Sequence, residues 1–221
     1  MGYLQLPSHV SYGLVAERAV FLDLRRDRYV ALPPPAEQAF RHLRALEEPM
    51  LPAGPERDVL LGTGLFREGS LRGRLAAAAA PAPSASLFDE TARPRAGPAA
   101  WLRARGAVSR ARRRLAERTL FEIVDAIRES RFGASSPGDT ATAEAAARVF
   151  LAARAMVPTE RRCLLDCLAL LDWLGDEARH ATLVFGVRLD PFAAHCWLQT
   201  DRLLLTDATD TAGMFVPVLA V

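Results

Sequence analysis

The sequence predicts an α+β fold built in two parts. Two patterns carry that expectation. Short strand-like runs open the chain and a helical pattern follows them, while the second half has helices first and strands after, an order that separates α+β from alternating α/β chains. A third observation sets the scale: 221 residues with 50% apolar content suffice for one or two packed cores.

Residues 10–32 read as a small antiparallel meander. Val10 to Val15 and Arg18 to Leu24 supply two apolar-rich runs, and Asp27 to Tyr29 lead into a third at Val30, Ala31 and Leu32. Ala16-Glu17 and Arg25-Arg26-Asp27 fit the turns between them. Pro33-Pro34-Pro35 stops the sheet and opens a helix, because proline suits a first helical turn. Ala36, Ala39, Phe40, Leu43 and Leu46 then recur at helical spacing. A second helical stretch holds Val59, Leu60 and Leu61 and ends at Gly62 and Gly64. Residues 1–75 thus read as a module of three strands and about three helices.

Residues 76–99 are rich in Ala, Pro and Ser, the composition of a linker, with Leu87-Phe88 as one apolar spot. Residues 100–131 read as one long basic amphipathic helix. Trp101, Leu102, Val108, Leu115, Phe121, Ile123, Val124 and Ile127 form its apolar face. Residues 132–139 break it, Thr140 to Ala155 form an Ala-rich helix, and Thr159 is the expected N-cap of a helix over 160–174. Strands follow at 181–189, 194–199, 202–206 and 214–221. The second domain therefore spans 100–221.

Charge and composition narrow the chemistry. The net charge of +2 is too small to imply nucleic acid. All 28 basic residues are Arg, which excludes a lysine Schiff base. The Arg-rich helix lacks interleaved aromatics and is interrupted by Glu117 and Glu122, so a solvated face or a docking surface is expected rather than a nucleic-acid interface. No signal peptide and no membrane-spanning run is visible, and three cysteines cannot form a full disulfide framework. A cytoplasmic location is expected.

The residues that carry chemistry are Cys163, His195 and Asp207. Cys163 lies in the first turns of a helix, where the dipole favours a thiolate. His195 lies on a strand, and Asp207 closes the next one, so a hairpin brings it beside the imidazole. A cysteine activated by histidine, itself oriented by a carboxylate, makes a nucleophile. The alternative reading is a structural Cys and a satisfied core His. Cys167 shares the helix face of Cys163, and Asp201 and Asp210 neighbour Asp207. By type, Cys163, Cys167, His195 and Cys196 would also suit zinc. Adjacent strand residues point to opposite faces, however, so His195 and Cys196 are not expected to converge on one ion, and no metal is assigned. Trp197 lies two residues from His195 and is expected to line the same cleft.

A cysteine on a helix followed by His and Asp on strands is the papain/transglutaminase arrangement. Arg162-Cys163-Leu164-Leu165-Asp166-Cys167-Leu168-Ala169-Leu170 is similar to the R-C-L-x-x-S-L-A-L segment of lasso-peptide leader peptidases, the transglutaminase-like B proteins. Phe185-Gly186-Val187-Arg188 and Ala194-His195-Cys196-Trp197-Leu198 resemble their G-V and A-H-A-W-V blocks. Cys167 stands where Ser is frequent and Cys196 where Ala is common. The N-terminal module resembles the PqqD-like recognition element, a small winged-helix domain that binds leader peptides.

The resemblance implies a fused B protein that binds a lasso precursor by its leader and hydrolyses the leader–core bond with Cys163, His195 and Asp207. It implies that the leader adds as a strand beside Arg28, Tyr29, Val30 and Leu32. It also implies an asparagine-synthetase-like macrolactam synthetase as partner. No cofactor is expected on this chain, and ATP belongs to the maturation system. A transglutaminase-like acyltransferase, and a non-catalytic adaptor for peptide or DNA, are the other readings of the same sequence.

Overall fold

The computed structural model describes residues 3–70, 74–91, 94–131 and 140–221. The expected helix break at 132–139 lies outside the described residues. The chain divides into two compact units, Met1–Ala79 with Val216–Leu219 and Ala80–Phe215 with Ala220–Val221. The architecture is mixed α and β.

In the first unit the meander is present as β2 (Val10–Val15), β3 (Arg18–Asp23) and β4 (Arg28–Ala31), after a short β1 (Tyr3–Gln5). Val10 pairs with Asp23 and Val15 with Arg18, which leaves a two-residue connection. That connection needs positive φ at both positions, and Ala16 and Glu17 adopt 46° and 65°. The second turn is closed by buried Asp23, whose Oδ1 accepts the backbone N–H groups of Arg25 and Arg26 at 3.1 and 3.2 Å. β3 is central and β4 forms an edge.

The proline-opened helix is α1 (Pro34–Ala45), and α2 (Pro55–Gly62) follows. Helical spacing puts Ala36, Ala39, Phe40 and Leu43 on one buried face of α1. Phe40 meets Tyr12 edge-on at 5.0 Å and Phe21 at 5.1 Å, and Phe66 completes this aromatic core. The sequence did not reveal the two-stranded sheet of β1 with β5 (Arg67–Gly69), because three-residue strands carry no readable period. Two helices rather than about three are found among the described residues of this unit.

The second unit begins inside the expected linker. Ala85–Ser86 form β6, Leu87 is buried, and Pro98 opens α3 (Pro98–Glu117). A two-residue strand in an Ala/Pro/Ser stretch has too little apolar mass to be seen by composition. The long helix expected over 100–131 is two helices, α3 and α4 (Leu120–Arg131). A reciprocal cap separates them: Thr119 Oγ1 accepts the Glu122 N–H at 3.3 Å, and Glu122 Oε2 accepts the Thr119 N–H at 2.8 Å. The buried face of α3 is Ala104, Ala107, Val108 and Ala111, whereas Leu102 is exposed. Small residues let α3 lie close against α5 (Thr140–Arg154) and α6 (Cys163–Leu174).

After a 3₁₀ segment (Gly175–His180) come β7 (Thr182–Leu189), β8 (Phe192–Gln199) and β9 (Leu203–Leu204), then α7 (Thr209–Gly213) and β10 (Val216–Ala220). β10 divides between the two units. β7 pairs antiparallel with β8, β8 with β9, and β9 runs parallel to β6. α6 packs on β8, and this contact places the candidate site. No helix among the described residues is long and apolar enough to cross a membrane.

The cap between α3 and α4 is testable. Thr119→Ala is expected to lower unfolding stability by about 1 kcal/mol, read as a lower urea midpoint at unchanged slope. An unchanged midpoint would show that the reciprocal cap contributes nothing.

Candidate active site

Cys163 is the first residue of α6, and the N-cap is Arg162 in an extended conformation rather than Thr159. Helix start and cysteine therefore coincide. The loop before α6 is held by Arg154 at the end of α5. Its guanidinium is almost fully buried; it donates to the carbonyls of Val157, Thr159 and Glu160 at 3.1–3.3 Å, and to Asp166 Oδ1 at 2.7 Å. Asp166 lies in the first turn of α6, where a carboxylate also favours the helix dipole. One buried cation thus ties the approach loop to the turn that carries Cys163. No sequence signal marked Arg154, since nothing in spacing distinguishes a buried arginine from the other 27 arginines of the 28.

β8 carries His195 opposite Gly186 of β7. His195 Nε2 is hydrogen-bonded to Asp207 Oδ2, so the other ring nitrogen, Nδ1, serves Cys163. Asp207 follows β9 instead of ending a longer strand. Its Oδ1 accepts the Ala208 N–H at 2.9 Å, and its carbonyl accepts the Ser86 hydroxyl. Asp201 and Asp210 are exposed, and Asp207 is the carboxylate that meets the imidazole. The ring lies near Phe215 at 5.2 Å and near-parallel to Trp197 at 6.2 Å. Trp197 is buried and bonded to Gln199 Oε1, so it backs His195 and does not line the cleft. Gly186 is required here. A Cβ on it would sit 2.8 Å from the Trp197 ring and 2.9 Å from Phe215.

All three cysteines cluster. Cys163 is exposed, while Cys167 and Cys196 are buried. Cys167 Sγ faces the Cys196 carbonyl at 3.7 Å and Thr206 Oγ1 at 3.6 Å, inside the core. Strand alternation predicts that His195 and Cys196 diverge, yet both line the cavity that Cys163 lines. The Cys196 and His195 hydrogen bonds lower the Cys163 pKa from 9.0 to about 4. Asp207 first, and Cys163 second, raise His195 to about 10. Contact with Cys163 and Cys167, together with burial, pushes the Cys196 thiol well above the ordinary range. The resting pair is a thiolate and an imidazolium. Phe88, Phe150, Leu151, Arg161 and Arg162 join them around a cavity of about 230 Å³. Arg161 stacks over the Phe88 ring at 5.7 Å. Among the described residues, no group of three or more His, Cys, Asp or Glu side chains is arranged to hold a metal ion.

The predicted leader contacts lie on the other unit. Arg28 is exposed on β4, and Tyr29 and Val30 are half-buried. Leu32 is buried in the aromatic core, so its side chain is turned away from any ligand.

Residues 105–220 match the family model described as transglutaminase-like superfamily. The chain belongs to the transglutaminase-like superfamily. The match covers α6, β7, β8 and the residues after β9, and so includes Cys163, His195 and Asp207. No curated protein and no solved structure is detectably similar to the chain.

The ion pair sets a pH window. The thiolate persists above about 4 and the imidazolium below about 10. Alkylation of Cys163 by iodoacetamide is expected to hold a plateau between those limits and fall as the thiolate protonates below the lower one. His195→Ala should move the acidic limb upward, and an unmoved limb would refute the pairing. Arg154→Met removes the buried cation, leaving Asp166 to the more exposed Arg161 and three loop carbonyls without their donor, so a loss of about 3 kcal/mol is expected in denaturant unfolding.

Proposed function

We propose that the protein is a cysteine peptidase of lasso-peptide maturation that removes the leader from a precursor. The observation that carries this reading is the exposed Cys163 thiolate at the start of α6, paired with an imidazolium that Asp207 orients. Cys163 Sγ attacks the scissile carbonyl. The backbone N–H of Cys163, which has no intrahelical acceptor, is the proposed first oxyanion donor. His195 already holds the proton and gives it to the leaving amine, then takes one from the water that hydrolyses the thioester. Asp207 keeps the imidazole aligned.

The first unit is proposed as the leader-binding, PqqD-like module. Its support is the edge strand β4, exposed at Arg28 and Ala31 and followed in the chain by the proline-opened α1. An extended leader would add along β4 through its backbone, with Arg28, Tyr29 and Val30 as side-chain contacts. Tethering binding and cleavage in one chain raises the effective concentration of the scissile bond. The proposed partner is the asparagine-synthetase-like macrolactam synthetase, with ATP used by the system.

The test mixes the full chain, wild type or Cys163→Ala, with a lasso precursor encoded beside its gene, with and without the synthetase and ATP. Mass spectrometry should find free leader with wild type alone, while Cys163→Ala still binds leader. Cleavage by both variants, or by neither, would overturn the assignment. An amide product on adding a primary amine would move it to acyl transfer.

A further inference from the structure

The chain has three cysteines, and the fold gathers all of them at the nucleophile, although Cys196 lies 29 residues beyond Cys167. Peptide cleavage by the mechanism above uses one sulfur. The other two have geometry that cleavage does not explain. Cys196 is buried on β8, next to His195. Cys167 packs behind it, against the Cys196 carbonyl and Thr206. Cys163 is the exposed member, and Cys163 and Cys196 line the same cavity, whereas Cys167 does not. An oxidant entering the cleft therefore meets Cys163 first, with a second, buried thiol lining the same cavity.

We propose that Cys163 and Cys196 form a peroxide-modified dithiol site, in which an internal disulfide reversibly caps the nucleophile. The proposal rests on the reading of Cys163 as nucleophile. The Cys163 thiolate attacks one oxygen of a hydroperoxide and the O–O bond breaks. With hydrogen peroxide this leaves a sulfenic acid and hydroxide, which takes the proton of the Cys196 thiol as water. The Cys196 thiolate then attacks the Cys163 sulfur, the S–S bond forms and the S–O bond breaks. The departing hydroxide takes the proton of the His195 imidazolium and leaves as a second water. Two thiols are oxidised by two electrons and one peroxide is reduced to two waters. Exposure and low basicity make a thiolate prone to this chemistry, and an adjacent resolving thiol stops it short of the irreversible sulfinic acid. Cys196, which shares the cavity with Cys163, is favoured over Cys167 as that thiol.

The full-length reduced protein is treated with hydrogen peroxide, alkylated, and digested without reductant for mass spectrometry. The expected result is a Cys163–Cys196 cross-linked peptide, loss of Cys163 alkylation, and recovery of that alkylation with dithiothreitol. Cys167→Ala should give the same cross-link. Cys196→Ala and Cys196→Ser should instead carry Cys163 to sulfinic acid, with no recovery. A wild-type protein that goes directly to sulfinic acid, or that cross-links Cys163 to Cys167 or to a second copy, overturns the proposal. The readout is mass and needs no turnover. Failure of the disulfide is thereby distinguished from failure of the peptidase reading, which is judged on reduced enzyme.

Discussion

Arg154 is the buried charge on which the candidate site depends. A guanidinium removed from water costs several kcal/mol, and pairing it with a carboxylate recovers this only when the remaining donors are satisfied. Here they are, by Asp166 and three carbonyls of the loop before α6. Hydrophobic replacements of buried ion pairs often match or exceed their stability, so the worth of this node lies in geometry. It fixes where α5 ends, how residues 157–160 cross, and where the first turn of α6 begins. Cys163 takes its place from that turn. A nucleophile at the first helical position has no preceding turn to brace it, and Arg154 with Asp166 supplies the brace.

The second support comes from the stretch whose composition reads as a spacer. Ser86 of β6 donates to the Asp207 carbonyl and accepts the Phe88 N–H at 2.9 Å. Asp89 accepts the Thr209 hydroxyl at 2.7 Å at the start of α7. The loop that presents Asp207 is therefore clamped from both ends by residues 86–89. Phe88 from the same stretch reaches the cavity beside Cys163. A chain segment with little core of its own thus positions the carboxylate that orients the imidazole.

How much of this was legible depends on the length scale of each feature. The meander was legible because β2 and β3 each hold six residues, and so was α1, whose apolar positions repeat over twelve. Cys163 and His195 were legible because each sits in an element with a clear period; Asp207 was legible only by its spacing from His195, since β9 ends before it, and the fold brings the three side chains to one cavity. Features set by one or two residues escaped. The Thr119–Glu122 cap split one amphipathic stretch into two helices without interrupting its pattern. β6 was invisible for the same reason. Arg154 and Gly186 act through burial and close approach, which sequence spacing does not encode. The alternation rule failed at Cys196. It separates neighbouring side chains across a sheet, but α6 packs on β8 so that both neighbours border the cavity that Cys163 lines.

The electrostatics of the site bear on which step the protein favours. Lowering the Cys163 pKa from 9.0 to about 4 fills the thiolate form at neutral pH, a gain of about a hundredfold in ionised fraction. The same shift reduces intrinsic nucleophilicity, by a factor on the order of a hundred or more for a Brønsted slope of ~0.4–0.5. The two effects nearly cancel, so a stabilised thiolate alone accelerates attack little. The gain must come from the other half of the pair. His195, raised to about 10 by Asp207 and Cys163, stands protonated before substrate arrives. In the proposed cleavage, as the thiolate is consumed, the imidazolium loses the partner that shared in raising its pKa and becomes a better acid at the moment the leaving amine needs a proton. An amide, whose difficulty lies in expelling that amine, benefits from this arrangement more than an activated ester would.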